Sequence, residues 1–374
     1  MINGKLVVTH VVSGDLWAGA EVQVYNLLRA LLASDQIAPT AVVFNPGILL
    51  DKLNELGIPV TLADESKLGS VAIIRSISEH CRQQRSKIIH THGYKENVLG
   101  ILAKEFAGVP ISLRTVHGNP ETAFTLRRPH KWLVHKLDIT LGRLCQQAVV
   151  AVSTQLEDRL NEIFPGKVRK IFNFIDIDYI RENWKVESKP LSTIPRIGIV
   201  GRLVPVKRVD LFIKTIAILN QQGIECRGII IGSGPLEKQL RQLGSEMQIL
   251  DKLDFQGFVN PSLAEIRHLD ALLMTSDHEG LPMTLLEAHA INLPIVAHNV
   301  GGIPEILDYG REGILVENHH PEGYAAAVKI AIKKIRNRVD RDIEKVPSVL
   351  DYKFSLETNV RHYIKLYTQL TSYR

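Results

Sequence analysis

The chain predicts an α/β fold made of two doubly wound domains, and three observations lead to that prediction. Short β-rich runs alternate with amphipathic helical stretches along the whole sequence, as in parallel sheets flanked by helices. The 374 residues exceed what one hydrophobic core usually holds. The alternation breaks near 183–195 and then restarts. We therefore predict domains over 1–185 and 186–352, followed by a terminal segment over 353–374.

The first domain begins with β-rich runs that are short enough to be buried strands. The helix predicted over 21–33 carries Val24, Leu27, Leu28, Leu31 and Leu32 on one face. Strands are predicted at 5–12, 40–44, 59–62, 87–90, 111–116, 148–152 and 169–172.

The second domain repeats the plan without visible sequence repetition. Its predicted strands are 196–200, 227–231, 253–255, 271–275, 294–298 and 313–316. Its clearest helices are 207–221 and 235–243, and a last helix over 355–371 has no strand after it. Polar motifs follow several of these strands, and such sheets bind ligands at the carboxyl ends of their strands.

The composition is that of an ordinary globular protein, with 45% apolar and 23% charged residues. A net charge of +5 suits an anionic ligand or an anionic membrane surface, but it is too small to indicate nucleic acid. The three cysteines are far apart, as expected of free thiols in a reducing compartment. No run resembles a signal peptide or a spanning helix, so we expect a cytoplasmic protein.

The stretch from Ser276 to Glu287 is the most informative motif. It places the carboxylates of Glu279 and Glu287 eight positions apart, with Gly280-Leu281-Pro282 between them. Pro282 suits the first turn of a helix, which puts Glu279 in the preceding loop and Glu287 on the second turn. The free N–H groups of the first turn would attract an anion. Two carboxylates around an anion site suit a nucleotide-diphospho-sugar, which has hydroxyls at both ends and phosphates between.

Two glycine-containing loops come at strand ends. Gly201-Arg202-Leu203 precedes Lys207, and this basic pair can neutralise a diphosphate; a solvated basic loop is the alternative. The segment Gly232-Ser233-Gly234-Pro235 has Glu237 where a dinucleotide fingerprint needs glycine, which argues against a dehydrogenase. A tight turn into a helix that starts at Pro235 explains it.

The loop Ala18-Gly19-Ala20 opens the first helix, and its small residues would let a ligand approach the backbone. A flexible β–α turn is an equally good interpretation of that loop.

Histidines follow two strands of the first domain. His117 could bond a sugar hydroxyl, although a histidine at a strand end is more often structural. His90 and His92 lie on one side of an extended segment and suggest a metal. No third ligand of suitable spacing is evident, so we predict no metal site.

A basic cluster at Arg127, Arg128, His130, Lys131, Trp132, His135 and Lys136 has apolar residues interleaved. It fits a solvated helix face or an interfacial helix on an anionic membrane.

In order along the chain, these motifs resemble the retaining glycosyltransferases of family 4. The matching segments are Gly19-Ala20-Glu21, Thr115-Val116-His117-Gly118, Ala151-Val152-Ser153, Asn173-Phe174-Ile175-Asp176, Gly201-Arg202-Leu203 with Lys207, Gly232-Ser233-Gly234-Pro235, Phe255-Gln256-Gly257-Phe258, the E-x7-E motif from Glu279 to Glu287, and Gly301-Gly302-Ile303-Pro304-Glu305. The resemblance implies the GT-B fold, two Rossmann-like domains facing across a deep cleft. It also implies an N-terminal acceptor domain, a C-terminal donor domain and a last helix that crosses back to the first.

The resemblance further implies the residue roles. Arg202 and Lys207 would hold the donor diphosphate, Glu279 a hydroxyl of the transferred sugar and Glu287 the ribose. His117 would lie beside the sugar. The remaining donor-binding positions are Gly19, Phe258, Val259, Gly280, Leu281, Pro282 and Met283. No cofactor or metal is implied, because the basic pair and helix amides supply the positive field.

The expected reaction is retaining transfer of a hexose or N-acetylhexosamine from a nucleotide-sugar, with UDP favoured over GDP. The acceptor would be a hydroxyl of a glycan, a lipid-linked saccharide or a small molecule. The alternatives are a nucleotide-sugar epimerase or a sugar phosphorylase on the same fold, or a non-catalytic nucleotide-sugar-binding protein. The expected partners are the donor and acceptor, without nucleic acid, and the inner face of a membrane as a peripheral contact.

Overall fold

The computed structural model describes residues 4–118, 129–184, 194–337 and 348–372. The contacts group the chain into two compact units. The first contains Met1–Ile175 and Leu356–Arg374, and the second contains Asp176–Ser355. The predicted domain boundary at 185/186 and most of the predicted linker fall outside the described residues.

The first unit alternates strands and helices from its first residues onward. Its elements are β1 (Leu6–Val12), α1 (Gly19–Leu32), β2 (Ile37–Val43), α2 (Ile48–Glu55), β3 (Val60–Leu62), α3 (Ser70–Gln84), β4 (Ile88–Thr91), α4 (Tyr94–Ala107), β5 (Ile111–Val116), α5 (Pro129–Cys145), β6 (Ala148–Ala151), α6 (Thr154–Ile163) and β7 (Val168–Lys170).

The second unit continues the same alternation. Its elements are α7 (Ile177–Asn183), β8 (Arg196–Val200), α8 (Val209–Gln221), β9 (Arg227–Ile231), α9 (Glu237–Glu246), β10 (Leu253–Gly257), α10 (Leu263–Ile266), β11 (Ala271–Met274), α11 (Met283–Ala290), β12 (Ile295–His298), α12 (Ile303–Ile306), β13 (Ile314–Val316), α13 (Pro321–Asn337) and α14 (Val349–Lys353). The chain ends in α15 (Leu356–Ser372).

Each unit is built on one parallel sheet. The first sheet has the strand order β3-β2-β1-β4-β5-β6-β7 and the second has the order β10-β9-β8-β11-β12-β13. Each order reverses once, between β1 and β4 in the first sheet and between β8 and β11 in the second. The predicted doubly wound α/β fold is therefore confirmed.

Buried aliphatic side chains explain why both sheets form. Leu27 and Leu31 of α1 pack on Val8 and Ile88 of the first sheet, as the spacing of that helix predicted. In the second unit, Phe212 and Ile216 of α8 pack on Ile197 and Ile230. Helices on both faces cover these strands, so successive strand residues are buried on both sides of each sheet.

The terminal helix α15 belongs to the first unit. Val360, Tyr363 and Tyr367 are buried in the same apolar cluster as α1 and the central strands. The Tyr367 hydroxyl lies 2.8 Å from Nδ1 of His90, on β4. By contrast, α7 belongs to the second unit, where it contacts α11.

Three predicted helix starts are wrong by a few residues, and the backbone conformation explains two of them. The helix predicted from Lys207 begins at Val209, because Arg208 is left-handed with φ of 49° and ends a short 3-10 turn over Pro205–Lys207. The helix predicted from Pro235 begins at Glu237. Pro282 has ψ of 120°, so it caps α11 and does not occupy its first turn.

No helix in the described ranges is both long enough and apolar enough to cross a membrane.

Gly301 lets two loops of the second unit touch through their backbones. Its φ is +63°, and a Cβ there would overlap the carbonyl oxygen of Glu279. Gly223 has a similar φ of +75°, but a Cβ there would meet nothing within 4 Å. Position 301 therefore needs glycine for two reasons, its left-handed backbone and the close Glu279 carbonyl, whereas position 223 needs it only for its left-handed backbone.

We predict that Gly301→Ala destabilises the protein more than Gly223→Ala. Both substitutions add left-handed strain of about 1–2 kcal/mol, but only the first forces the Glu279 backbone to move. Thermal unfolding should show a fall in Tm of about 2–4 °C for Gly223→Ala and at least twice that for Gly301→Ala. Equal falls in Tm would contradict the close packing at Gly301.

Candidate functional site

Loops from five strands of the second sheet leave at one edge. Because the strands are parallel, the segments after β8, β9, β10, β11 and β12 all begin at their carboxyl ends. The order reverses between β8 and β11, and neighbouring loops diverge at such a point and leave a crevice. The candidate site lies at this edge, and the predicted donor residues are carried by these loops and by α11.

Lys207 and Glu279 meet at this edge. The Nζ of Lys207 donates to Oε1 of Glu279 at 2.6 Å. Their side chains are 23% and 9% exposed, so the pair is largely shielded from water and its attraction is stronger than at an open surface. The sequence singled out both residues but did not predict that they bond each other.

Hydrogen bonds clamp the two loops that carry this pair. The Thr275 hydroxyl donates to the carbonyl oxygens of Lys207 and Arg208, and the Asp277 N–H donates to the Val206 carbonyl at 2.8 Å. On the other side, the Gly302 N–H donates to the Gly280 carbonyl at 2.7 Å. Glu279 is therefore held by a backbone that is fixed on both sides.

A second layer of charged groups, which the sequence did not reveal, supports this clamp. Arg208 bonds both Asp210 and Asp277, and His319 lies 2.9 Å from the Asp277 carboxylate through Nε2. The other ring nitrogen of His319 accepts from the buried Tyr324 hydroxyl at 2.7 Å. Asp277 and Arg208 adjoin the predicted residues in sequence, but His319 carries no local signal that would find it.

Arg202 lies beside this pair at the end of β8. Gly201, Arg202, Lys207, Met274 and Ser276 line one small depression. The loop of Arg202 rests on the segment 232–235, because the Leu203 N–H donates to the Ser233 carbonyl at 2.9 Å. A Cβ on Gly232 would overlap the Gly201 carbonyl, so the glycines of this segment allow close backbone packing under Arg202.

Glu287 lies on the second turn of α11, as predicted. The Ser262 hydroxyl donates to its Oε2 at 3.0 Å. Burial raises the pKa of Glu287 to about 7, while the hydrogen bond from Ser262 opposes that rise. This carboxyl group therefore titrates near neutral pH, and sequence reasoning did not find its partner Ser262.

The remaining donor-binding predictions are placed as follows. Gly280, Leu281 and Pro282 form the loop before α11, and Met283 is the first residue of that helix. Phe258 and Val259 follow β10, where Phe258 is 55% exposed. Gly19 and His117 both belong to the first unit. Gly19 is the exposed first residue of α1, and His117 follows β5.

His117 lies in a cluster of four histidines at the carboxyl edge of the first sheet. Its Nε2 is 3.1 Å from Nδ1 of His92, and Nε2 of His92 is 3.0 Å from Nδ1 of His10. Burial lowers the pKa of His117 to about 4 and that of His10 to about 3, so both imidazoles are neutral at pH 7. The His90 ring lies beside them at a tilt, with its centre 4.9 Å from that of His10 and 4.3 Å from that of His92.

His10 is the third imidazole that the sequence interpretation did not find for His90 and His92. Ligand nitrogens of His10, His90 and His92 lie within 4.8 Å of one another, a spacing that could hold a metal ion. His10 pairs with His90 across β1 and β4, which are about 80 positions apart in sequence. Spacing along the chain cannot reveal such a neighbour.

The basic cluster is described only in part. Arg127 and Arg128 fall outside the described residues, as do the side chains of His130 and Lys131. Within α5, the Lys136 Nζ lies 5.8 Å from the centre of the Trp132 ring. Leu133 and Leu137 are 55% and 43% exposed, so α5 presents apolar and basic groups together.

Two curated bacterial relatives cover different shares of the chain. A galactosyltransferase of Escherichia coli, named for UDP-Gal and α-D-GlcNAc-diphosphoundecaprenol, is 23% identical over 357 residues, which is 91% of this chain and 92% of that protein. WcaL of Salmonella typhimurium, a putative colanic acid biosynthesis glycosyltransferase, is 31% identical over 258 residues. That match is 65% of this chain and 57% of that protein.

Solved structures share the fold at low identity. Anabaena HepE in complex with UDP-glucose matches with a TM-score of 0.79 and 17% identity, covering 97% of this chain and all of that chain. The lipopolysaccharide outer core galactosyltransferase WaaB matches with a TM-score of 0.70 and 16% identity, over 97% of this chain and all of that chain. Both structures have the GT-B fold, which consists of two Rossmann-like units, and this chain has the same fold.

Two family models divide the sequence between them. The model for glycosyltransferase family 4 matches residues 17–179, and the model for glycosyl transferases group 1 matches residues 180–345. The chain therefore belongs to the family 4, group 1 glycosyltransferases and is a glycosyltransferase enzyme.

Proposed function

We propose that this enzyme transfers a hexose, with retention, from a UDP-sugar to a hydroxyl of a lipid-linked or growing surface glycan, without a metal ion. The observation that carries the proposal is the shielded Lys207–Glu279 pair beside Arg202 at the reversal point of the second sheet. Two cations, Arg202 and Lys207, and one carboxylate, Glu279, thus lie at the same edge of the second sheet. A sugar diphosphate needs both kinds of group.

The cations and the helix end would bind the diphosphate. Arg202 and Lys207 line the same depression, and α11 begins at Met283 just beyond the Glu279 loop. A guanidinium, an ammonium and first-turn amides stabilise the negative charge that grows on the leaving diphosphate. Three positive groups of the protein can perform the task that a divalent cation performs in other enzymes.

The two carboxylates would bind the two ends of the donor. Lys207 holds Glu279 through Oε1, so Oε2 of Glu279 would accept a hydrogen bond from a hydroxyl of the sugar that is attached to the phosphate. Glu287, on the second turn of α11, would accept hydrogen bonds from the ribose hydroxyls, and the exposed ring of Phe258 would border the base. Gly280, Leu281 and Pro282 would line the path between them.

The relatives support the choice of donor and acceptor. HepE is seen with UDP and with UDP-glucose, and the Escherichia coli relative is named for UDP-Gal and a diphosphoundecaprenol acceptor. WcaL and AmsK are named for the biosynthesis of colanic acid and amylovoran. A lipid-linked acceptor would bring the enzyme to the inner face of a membrane, and α5 offers basic and apolar groups for that contact.

The reaction would proceed by substitution on one face of the sugar. The bond from the anomeric carbon to the phosphate oxygen breaks while the bond to the acceptor oxygen forms. The departing phosphate oxygen takes the acceptor proton, so that the products are the glycoside and UDP. Orientation of the acceptor, together with stabilisation of the leaving group, would supply the rate.

Incubation with a panel of UDP- and GDP-hexoses and lipid-diphosphate saccharides tests the proposal. We expect transfer from a UDP-sugar, full activity in EDTA, and an NMR coupling constant showing retained anomeric configuration. Isomerised donor without a glycoside product would indicate an epimerase. Strict dependence on added Mg²⁺ or Mn²⁺ would contradict the metal-free site.

Lys207→Ala and Glu279→Ala should each lower kcat about a hundredfold, because each removes one charge from the pair and leaves the other unpartnered. Lys238→Ala and Glu246→Ala are matched controls, since both are exposed residues of the same unit. Steady-state kinetics with the identified donor measures the effect. Unchanged kcat in either site variant would place the reaction elsewhere.

Glu287 should make donor use depend on pH. With a pKa raised to about 7, the carboxyl group is mostly protonated at pH 6 and mostly ionised at pH 8. The carboxylate accepts through two charged oxygens, whereas the protonated group has one strong acceptor oxygen and one O–H donor, so kcat/KM for the donor should rise about tenfold over that interval.

Glu287→Gln cannot ionise, so its kcat/KM should be low and should lack this rise between pH 6 and 8. The ratio of wild-type to variant kcat/KM at each pH isolates the contribution of this residue. A ratio that does not change with pH would exclude Glu287 from ribose binding.

A further inference from the structure

Three imidazoles form one hydrogen-bonded chain across the reversal point of the first sheet. His10 lies on β1, His92 directly follows β4 and His117 directly follows β5. Nδ1 of His10 is 3.0 Å from Nε2 of His92, and Nδ1 of His92 is 3.1 Å from Nε2 of His117. His92 is the only one of the three whose ring bonds both others.

His90 is near this chain but is not part of it. Its Nδ1 is 2.8 Å from the Tyr367 hydroxyl and its Nε2 is 2.8 Å from the Thr115 hydroxyl. Both ring nitrogens are therefore already used by hydroxyl groups. A metal held by His10, His90 and His92 would have to break one of these bonds and also one of the two ring bonds of His92, so the geometry favours the hydrogen-bonded chain.

The chain has only two possible arrangements of hydrogens. Burial lowers the pKa values of His10, His92 and His117 well below neutrality, so each ring carries one N–H at pH 7. A neutral imidazole has one donor and one acceptor nitrogen. Fixing the tautomer of one ring therefore fixes the other two, either with every hydrogen on Nδ1 or with every hydrogen on Nε2.

The two ends of the chain decide between these arrangements. Nε2 of His10 and Nδ1 of His117 are buried and have no hydrogen-bond partner among the described residues. His10 is fully buried within β1, whereas His117 lies beyond a strand end and is partly exposed. Either arrangement leaves one of these two nitrogens carrying an N–H without a partner, and only His117 is partly exposed, so the N–H that a ligand can reach is Nδ1–H of His117.

We propose that His92 is a positioning residue that, together with His10, holds His117 in the Nδ1–H tautomer. His10 donates from Nδ1 to His92, His92 donates from Nδ1 to His117, and His117 presents its own Nδ1–H as a donor. The use of that donor rests on the proposed function: it would bond an oxygen of the transferred sugar or of the acceptor. The chain itself is a property of the first unit and does not depend on the identity of the substrate.

The tautomers can be read directly by NMR of protein labelled with ¹⁵N-histidine, because two-bond correlations distinguish protonated from bare ring nitrogens. We expect His117 to carry its hydrogen on Nδ1 at pH 7. His92→Phe keeps a ring but removes both nitrogens, so the His117 tautomer should become mixed or switch to Nε2–H. With the same variant, kcat of transfer should fall about tenfold, the scale of one hydrogen bond, with the donor KM little changed.

His92→Asn supplies the conservative variant, since its amide can donate to Nε2 of His117 from near the position of the imidazole Nδ1. It should restore the Nδ1–H tautomer and most of kcat. His80→Gln is the matched control, because His80 is a buried histidine of the same unit whose nitrogens bond Thr40 and Thr61. It should change neither the His117 tautomer nor kcat.

Three results would overturn the proposal: an Nε2–H tautomer of His117 in the wild type, an unchanged tautomer in His92→Phe, or a stoichiometric metal ion that shifts the His10, His90 and His92 resonances. Absence of any sugar transfer alongside the predicted tautomers would instead refute the proposed function and leave the histidine chain standing. The two failures are thus separate.

Discussion

The structure depends on one constraint, the single reversal of strand order in each parallel sheet. At that point neighbouring loops leave the sheet in opposite directions, and side chains from distant parts of the sequence meet at the strand ends. In the second sheet the reversal brings Lys207, after β8, to Glu279, after β11. In the first sheet it brings His10 of β1 to His92 after β4.

The polar groups at these edges are useful only because the backbone holds them. Glycines with positive φ allow the loops to touch where a Cβ would collide, as at Gly232 against Gly201 and Gly301 against Glu279. Hydrogen bonds from Thr275 and Gly302 then fix the Glu279 loop from both sides. Preorganised charge stabilises a leaving diphosphate because little reorganisation remains for the reaction itself.

Burial gives the two edges opposite electrostatic character. In the first sheet it lowers the pKa values of His10 and His117, so the edge carries neutral donors and acceptors. In the second sheet a lysine remains paired with a carboxylate, and the pKa of Glu287 rises toward neutrality. The edge of the first sheet thus carries neutral rings, whereas the edge of the second sheet carries an ion pair and a carboxyl group that titrates near neutral pH.

The sequence alone determined the order of strands and helices, because apolar runs and turn residues are local signals. The parallel strands of both sheets lie near their predicted positions. The E-x7-E spacing also placed Glu279 before a helix and Glu287 on its second turn. The helix starts predicted at Lys207 and Pro282 were wrong, since a left-handed residue such as Arg208 or a capping proline is decided by neighbouring loops.

Only the tertiary structure decided which side chains meet. His10 lies about 80 positions from His92, and His319 lies 42 positions from Asp277, so no spacing rule links them. The same holds for Ser262 and Glu287. Periodicity reports how one segment is buried, whereas a hydrogen-bond partner across a sheet depends on strand order, and strand order is set by how the whole chain packs.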